Sequence, residues 1–493
     1  MSHQSKVRRF LVLPGFLACF FLAAAAHAQF SDDPAANLSV ADRTNEQVQP
    51  KIVPTADGGC YISWFDNAAG GYDVYLQRLD ANGVEQWAHN GVLVADRGFS
   101  STQDYGLAVD TAGNALLAFR DDSGANVQIA AAKVDPSGTL LWGAGGILLT
   151  ATADFVAAPK IAGTSDGNVV VAWTQDVDVV AVKLDPNGAP LWGAPATLAP
   201  ASGSFGLADL QAAESGNAIV AFVRSAGGPN PRHLWAQKLA SADGSLLWTA
   251  AHVKVYDEAS GSLQFGNFPS FLPDGSGGAI FGWYTSSPTL QVRAQRILAN
   301  GAEAFAHNGA LVSTDTTRLR VSPGFAWDPA TSQIFLFWTE LNSLQSQFGL
   351  YGQKLDAAGN RQWGTTGKVL LPLGSTELTQ IRALPWGSGA VVTWVETLAV
   401  ANQPIRASRL DGNGDAAWSP GTVSLKASST GTSRLAAAGG SAGFGLFAWS
   451  DGDFGDFDVL AQNLNSDGTL GSPAIFSDGF ESGNLSAWTS SMP

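Results

Sequence analysis

A turn glycine that returns eight times constrains this chain more than any other feature. It stands at Gly83, Gly138, Gly188, Gly244, Gly301, Gly359, Gly414 and Gly468, at spacings of 55, 50, 56, 57, 58, 55 and 54 residues. Four residues later an aromatic follows in seven of the eight repeats: Trp87, Trp142, Trp192, Trp248, Phe305, Trp363 and Trp418. Three residues before the glycine, Asp80, Asp135, Asp185, Asp356 and Asp411 fill five of the eight positions. Self-similarity at a fixed period means that one supersecondary unit has been copied, and such a unit buries its faces only against its neighbours.

Each unit reads as four strands. A first strand and a glycine-rich turn lead into an apolar run that ends in an aromatic: Trp64, Phe119, Trp173, Phe222, Trp283, Trp338, Trp394 and Trp449. A continuous apolar strand bounded by turn residues is buried on both faces. A third strand alternates polar and apolar residues, as in VYLQRL and LYGQKL, and the D-x-x-G turn, the Trp and a short strand such as GVLVAD follow. Pro or Ala after the Asp suits the first turn position, and Gly closes the turn at positive φ. Four strands per unit, eight units and no helical periodicity predict an all-β, eight-bladed propeller of four-stranded antiparallel blades over 37–475.

The ends predict how the ring closes. Asn37–Arg43 reads NLSVADR, a near copy of the fourth strand GVLVADR, yet it precedes the first full repeat. The eighth repeat lacks its own Trp and fourth strand, so Asn37–Arg43 is expected to complete the last blade.

The chain begins with Lys6, Arg8 and Arg9, an apolar run from Phe10 to Ala26 and a small-residue site at Ala26-His27-Ala28, the pattern of a cleavable secretory signal over 1–28. A lipoprotein anchor at Cys19 is the rival reading; Phe16 is a poor start for such a site. No other apolar run reaches the ~18 residues that cross a membrane, so a soluble, exported monomer is expected, in the periplasm, at the cell surface or outside the cell. Losing the three basic residues of the leader takes the formal charge from −15 to −18. With no basic run to reverse that field, nucleic acid is excluded as a partner. Cys60, inside CYISWF, reads as a buried small hydrophobe.

Two bacterial propeller repeats are similar to these units. Arg78-Leu79-Asp80-Ala81-Asn82-Gly83, Trp87 and Asn90-Gly91 resemble the core of the delta-sixty repeat, and Leu184-Asp185 through Gly188 with Trp192 resembles the tryptophan-docking repeat of quinoprotein-type propellers. Either likeness implies the fold strongly and a function hardly at all. Quinoprotein dehydrogenases would imply a quinone and calcium, but the adjacent cysteine pair and haem motif are absent, so that activity is not carried over. The tail 476–493, with Asp478-Gly479-Phe480-Glu481-Ser482-Gly483 and Trp488, resembles the DGFESG-type ends of secreted bacterial proteins; a sorting element and a packed terminal strand are both open.

The candidate ligand residues lie two positions after the strand-ending aromatic. Asp66, Asp121, Glu340, Glu396 and Asp451 are acidic there, while Gln175, Arg224 and Thr285 break the set. Propeller symmetry places them at one end of the molecule, where a partial ring of carboxylates would attract a cation or a polyhydroxylated ligand. The alternative, favoured here, is that each caps its own loop or solvates a strand end. Arg78, Lys133, Lys183, Lys354 and Arg409 on the third strands read as a solvated outer face, His89 and His307 as turn residues and His233 as a loop residue. The D-x-x-G aspartates offer too few oxygens for calcium, which needs six to eight. No cofactor is predicted. A non-catalytic module binding a glycan or protein through loops such as Arg224–His233, Ser286–Leu290 and Leu341–Phe348 is expected. The alternatives are an extracellular glycan-acting enzyme, which requires two carboxylates from different blades in one pocket, and an envelope protein-binding scaffold.

Overall fold

The computed structural model describes residues 29–227, 231–440 and 444–471. The expected leader over 1–28, Cys19 with it, and the tail 476–493 lie outside these residues, as do three positions of the Arg224–His233 loop. Eight antiparallel sheets form an eight-bladed propeller, and the one helical segment among the described residues is the short turn Glu214–Gly216. Blade 1 is typical: Gln47–Pro54, Cys60–Asp66, Asp73–Leu79 and Val92–Ala95, paired in sequence order. First strands of neighbouring blades touch around the ring except between blades 5 and 6, so they line the central channel. Blade 5 differs, because its first strand is broken into Ser262–Leu263 and Phe271–Pro273.

The apolar second strands form the core of the blades. Their terminal aromatics are all at most 2% exposed, and Cys60 is fully buried among them. Second strands end at what is here called the loop end, from which the second-to-third-strand loops emerge. The D-x-x-G turns lie at the opposite, turn end.

At the turn end six of the eight junctions are fastened by the same bond. The indole of Trp87 donates to the carbonyl of Pro136 (3.2 Å), Trp142 to Pro186 (3.2 Å), Trp192 to Ser241 (3.0 Å), Trp248 to Ala299 (3.0 Å), Trp363 to Gly412 (3.2 Å) and Trp418 to Ser466 (3.0 Å). Each acceptor lies in the turn of the following blade, and the ring lies on that turn's glycine: a Cβ on Gly138 would stand 3.2 Å from Trp87. Gly138 has φ +91, so two constraints, backbone and contact, call for glycine there. The turn aspartates cap their own turns, Asp80 Oδ1 accepting from the backbone of Asn82 and Val84 and Asp135 from Ser137 and Thr139. Backbone donation from Ala189 and Asp415 holds Asp185 and Asp411 below the ordinary carboxylate range. Asp356 caps its turn through Ala358 and Asn360, and Gly188, Gly359 and Gly414 receive Trp142, Phe305 and Trp363 as Gly138 receives Trp87.

Third-strand cations join the same junctions, which corrects the expectation of a solvated outer face. Lys133 and Lys183 are buried. Lys133 pairs with Asp110 (2.8 Å) and donates to the Pro186 carbonyl (3.3 Å) that also receives Trp142. Lys183 reaches Asp166 (2.6 Å) and the Gly216 carbonyl (2.8 Å). Arg78, Lys354 and Arg409 are half-buried and donate to carbonyls of Pro136, Gly412 and Ser466, the acceptors of their own blades' tryptophans. Alternation placed these side chains on a polar face; it carried no sign that the next blade would cover that face. A further repeat element went unread: the buried Gln of the Q-[RK]-L runs. Gln353 donates to the Gly364 carbonyl (2.8 Å) and accepts from the backbone N–H of Trp363 (2.8 Å), holding the docking residue in place.

Closure follows the expected strand exchange and adds to it. Leu38–Ala41 pairs antiparallel with Asp456–Leu464 in the register Leu38 to Ala461 and Ala41 to Val459, matching Val92 to Leu76 and Ala95 to Val74 in blade 1. Phe30 takes the place of the missing eighth aromatic, since its backbone bonds to Asn82 (2.9 Å) and its ring lies on Gly83. Gln462 donates to the Ser31 carbonyl (3.0 Å) as Gln77 does to Ala88 (2.9 Å).

Candidate functional site

The five acidic residues of the loop end are spread over five blades, and each is engaged within its own surroundings. In the Trp-x-acid pattern the carboxylate accepts the indole N–H: Trp338 to Glu340 (2.7 Å), Trp394 to Glu396 (3.2 Å) and Trp449 to Asp451 (3.1 Å). Gln175 does the same for Trp173 (3.1 Å). Each of the three carboxylates also has a cation: Arg320 on Glu340 (2.9 Å), Arg406 on Glu396 (3.2 Å) and Lys426 on Asp451 (2.5 Å). Asp66 faces Arg43 at 3.7 Å and caps its loop through Ala68, and Asp121 caps through Ser123 beside buried Arg97. Glu340 is 3% exposed, and burial raises its pKa against the pull of Trp338 and Arg320. His89 and His307 are bound by carboxylates of the adjoining blade, Asp42 (3.0 Å) and Asp257 (2.8 Å). His233 is a buried residue of the strand Arg232–Leu239 rather than of a loop.

The channel presents a different set of groups. First strands of blades 1, 3, 6, 7 and 8 carry a bulge at one level, with left-handed φ at Gln49, Ala158, Ser322, Gln380 and Arg434. A bulge re-aims the side chains around it. Directly after it, opposite the residue that precedes the strand-ending aromatic, stand Lys51, Lys160 and Arg382; Asp209 holds this position in blade 4. Asp104 joins the belt from blade 2. Two adjoining cavities open here, one of ≈ 380 Å³ lined by Lys51, Lys160 and Asp209, the other of ≈ 390 Å³ lined by Lys51, Asp104, Arg382 and Arg434.

The charges of this belt do not cancel. Asp104 is clamped between Lys51 (3.0 Å) and Lys160, and although burial alone would raise its pKa, the two ammonium groups hold it well below the usual range. Desolvation and the repulsion of Lys160 lower Lys51. Asp209 is pushed up by burial, yet its oxygens accept from the backbone of Leu210 (2.9 Å) and Phe271 (3.1 Å) and from Gln211 (3.1 Å). Arg382 and Arg434 have no carboxylate partner among the described residues. Arg382 donates only to its neighbour's carbonyl, Ile381 (2.9 Å), and desolvation together with the charge of Arg434 lowers its pKa. Both side chains reach channel water, but protein walls surround them, which strengthens the mutual repulsion. This belt was missed at the level of sequence, though a signal exists: Pro50-Lys51-Ile52 and Pro159-Lys160-Ile161 repeat the same triplet.

No protein-family model and no curated protein matches the chain. Among solved structures it is similar to prolyl oligopeptidase B from Galerina marginata (TM-score 0.45, 9% identity, covering 83% of this chain and 56% of that one). It is similar also to the polysaccharide lyase Uly1 (TM-score 0.44, 10%, covering 89% and 93%) and to the PQQ-bound aldose sugar dehydrogenase from Streptomyces coelicolor (TM-score 0.34, 16%, covering 61% and 92%). This chain therefore spans little more than half of the oligopeptidase, and at this degree of likeness no activity transfers from any of the three.

Proposed function

We propose that the chain is an exported, non-catalytic binding module whose channel holds a short acidic ligand, with an acidic oligosaccharide as the ligand class. The observation that supports this reading is the Arg382–Arg434 pair: two guanidinium groups facing the same cavity, repelling each other and lacking a carboxylate. Two unpaired cations that share one cavity repel each other, and a carboxylate or sulfate placed between them relieves that repulsion through charge-assisted hydrogen bonds. Cavities of this size take one sugar unit or a small acid each, not a folded partner. The surplus negative charge of the rest of the molecule repels long polyanions and leaves the channel to short ones.

One observation favours the enzyme alternative. Asp104 and Asp209 come from different blades, and their pKa values are pushed in opposite directions, as a base and an acid require. The binding reading is preferred because both oxygens of Asp104 are occupied by lysines, and Asp209 is tied down by two backbone donors and Gln211. A glycan array of acidic and neutral oligosaccharides, run with calcium and with chelator, tests the proposal. Selective retention of acidic glycans that disappears in Arg382→Ala/Arg434→Ala is the expected outcome. Neutral glycans bound equally well would overturn the charge argument, and release of shortened glycans that stops in Asp209→Asn would favour the enzyme.

A further inference from the structure

The cleft between blades 3 and 4 departs from the other loop-end clefts in the sign of its charge. At this level four blades hold a carboxylate paired with a cation, Asp66 with Arg43, Glu340 with Arg320, Glu396 with Arg406 and Asp451 with Lys426, and in a fifth Asp121 lies in the field of buried Arg97. At the 3–4 junction the carboxylate is replaced by Arg224, and the preceding blade contributes only Ala199, Ala201 and Ser202. A cavity of ≈ 580 Å³ results, lined also by Phe205, His233, Trp235, His252 and Lys254.

Arg224 has no carboxylate partner among the described residues; its one side-chain bond is a 3.3 Å contact to Ser202 Oγ. It lies 5.8 Å from the centre of the Trp235 ring, and Lys254 lies 5.6 Å from the same ring. Arg224 stands two residues from Phe222, the cross-strand partner of Trp235, and Lys254 pairs with Trp235 directly, so these groups share one face of the blade. Asp257, the carboxylate among the lining residues, is taken up by Lys254 (3.1 Å) and His307 (2.8 Å). His252 adds a donor of known sense. Gln237 Oε1 accepts from two backbone N–H groups, Lys238 (2.9 Å) and Trp248 (3.1 Å), so its amide nitrogen is the atom facing His252 Nδ1 at 3.2 Å. Nδ1 is therefore an acceptor, and the neutral ring carries its proton on Nε2. Burial keeps that ring neutral by lowering its pKa.

We propose that this cleft is a binding site for a small carboxylate-bearing molecule, its carboxylate against Arg224 and its flat body in the aromatic cavity beside Trp235 and Phe205. At five other blades the protein supplies both charges; here it supplies the cation and leaves the space. The shared chemistry, a single carboxylate on a ring-sized body, fits both a sugar acid and an aromatic acid. The site is separate from the channel and does not depend on the reading given for it.

Titration calorimetry of the full-length protein with D-glucuronate, benzoate and D-glucose tests the assignment. Binding of glucuronate, of benzoate or of both is expected, with glucose silent; glucuronate alone identifies a sugar acid and benzoate alone an aromatic acid. Arg224→Glu, which restores the residue type of the other junctions, should weaken binding at least about tenfold, while Arg382→Ala/Arg434→Ala should leave it unchanged. Should Arg224→Glu not fold, Ala201→Phe fills the cavity without altering charge and is expected to abolish binding. Glucose binding as tightly as the acids, both acids silent, or affinity retained when the cavity is filled would overturn the proposal.

Discussion

The two ends of this propeller obey different rules. At the turn end six of the eight junctions use an indole-to-carbonyl bond in the same place, and the other two, made by Phe305 and Phe30, keep the ring on the glycine. At the loop end no such rule holds. The second position after the strand-ending aromatic is acidic, amide, hydroxyl or Arg224, and the strongly exposed apolar side chains Leu344, Val400 and Phe454 all stand on its loops. Uniform chemistry marks what the fold needs, and what all eight junctions keep is the aromatic ring on the turn glycine. Variation marks where the ring is free to differ, and both candidate sites lie where the pattern breaks.

The comparison breaks most visibly if the clasp is dispensable. Deleting residues 29–43 removes both the eighth docking aromatic and the last outer strand, and it should abolish the single cooperative melt or lower it by many degrees. A melting temperature equal to that of the intact protein would refute closure by the N-terminal segment. Next, Trp142→Ala at the turn end should cost about 3–5 kcal/mol in denaturant unfolding, the range for emptying a buried aromatic site. Leu344→Ser at the loop end should cost almost nothing, and equal losses would erase the distinction between the ends. Arg382→Ala/Arg434→Ala should melt no lower than the parent, since a repulsion is removed, while acidic-glycan binding is lost; a lower melt would make the pair structural.

The smallest effect concerns His89 and His307. Desolvation lowers both, but Glu85 with Asp42, and Glu303 with Asp257, outweigh it, so both folded pKa values lie above the ordinary 6.5. The stability they contribute is fully present below about pH 6.5 and is lost as pH rises through the folded values. Both rings are about half exposed, so screening limits the contribution to a few tenths of a kcal/mol, about the worth of a surface pair. His89→Gln/His307→Gln should flatten the stability profile above about pH 6.5, and an unchanged slope would show that these bridges carry no charge.

The blade count, the docking tryptophans and the clasp strand were legible because they repeat, and periodicity amplifies a weak local signal. Phe30 was not, because it precedes Leu38 by eight residues where Trp87 precedes Val92 by five, so the insertion breaks the spacing. The acidic ring was legible as positions, but its partners were not: Arg320 belongs to the first strand of its own blade, and Arg43 and Lys426 come from the preceding one. Burial of Lys133 and Lys183 was hidden for the same reason, since what covers them is the neighbouring blade. Arg434 escaped notice because a bulge shifts it off the alternation of its strand.

The pairing of Leu38 with Ala461 has a consequence for the order of events in folding. A ribosome makes the clasp strand before any blade and its partner after seven of them, so the earliest segment stays without its sheet until nearly the whole chain exists. Bringing these ends together carries the largest loop-closure entropy in the molecule, and contacts of such sequence separation form slowly. Until then Gly83 and the edge of Asp456–Leu464 stand uncovered, an open edge ready to accept a strand from another chain. The seam that makes the finished ring continuous is thus the place where an unfinished one is most exposed to mispairing.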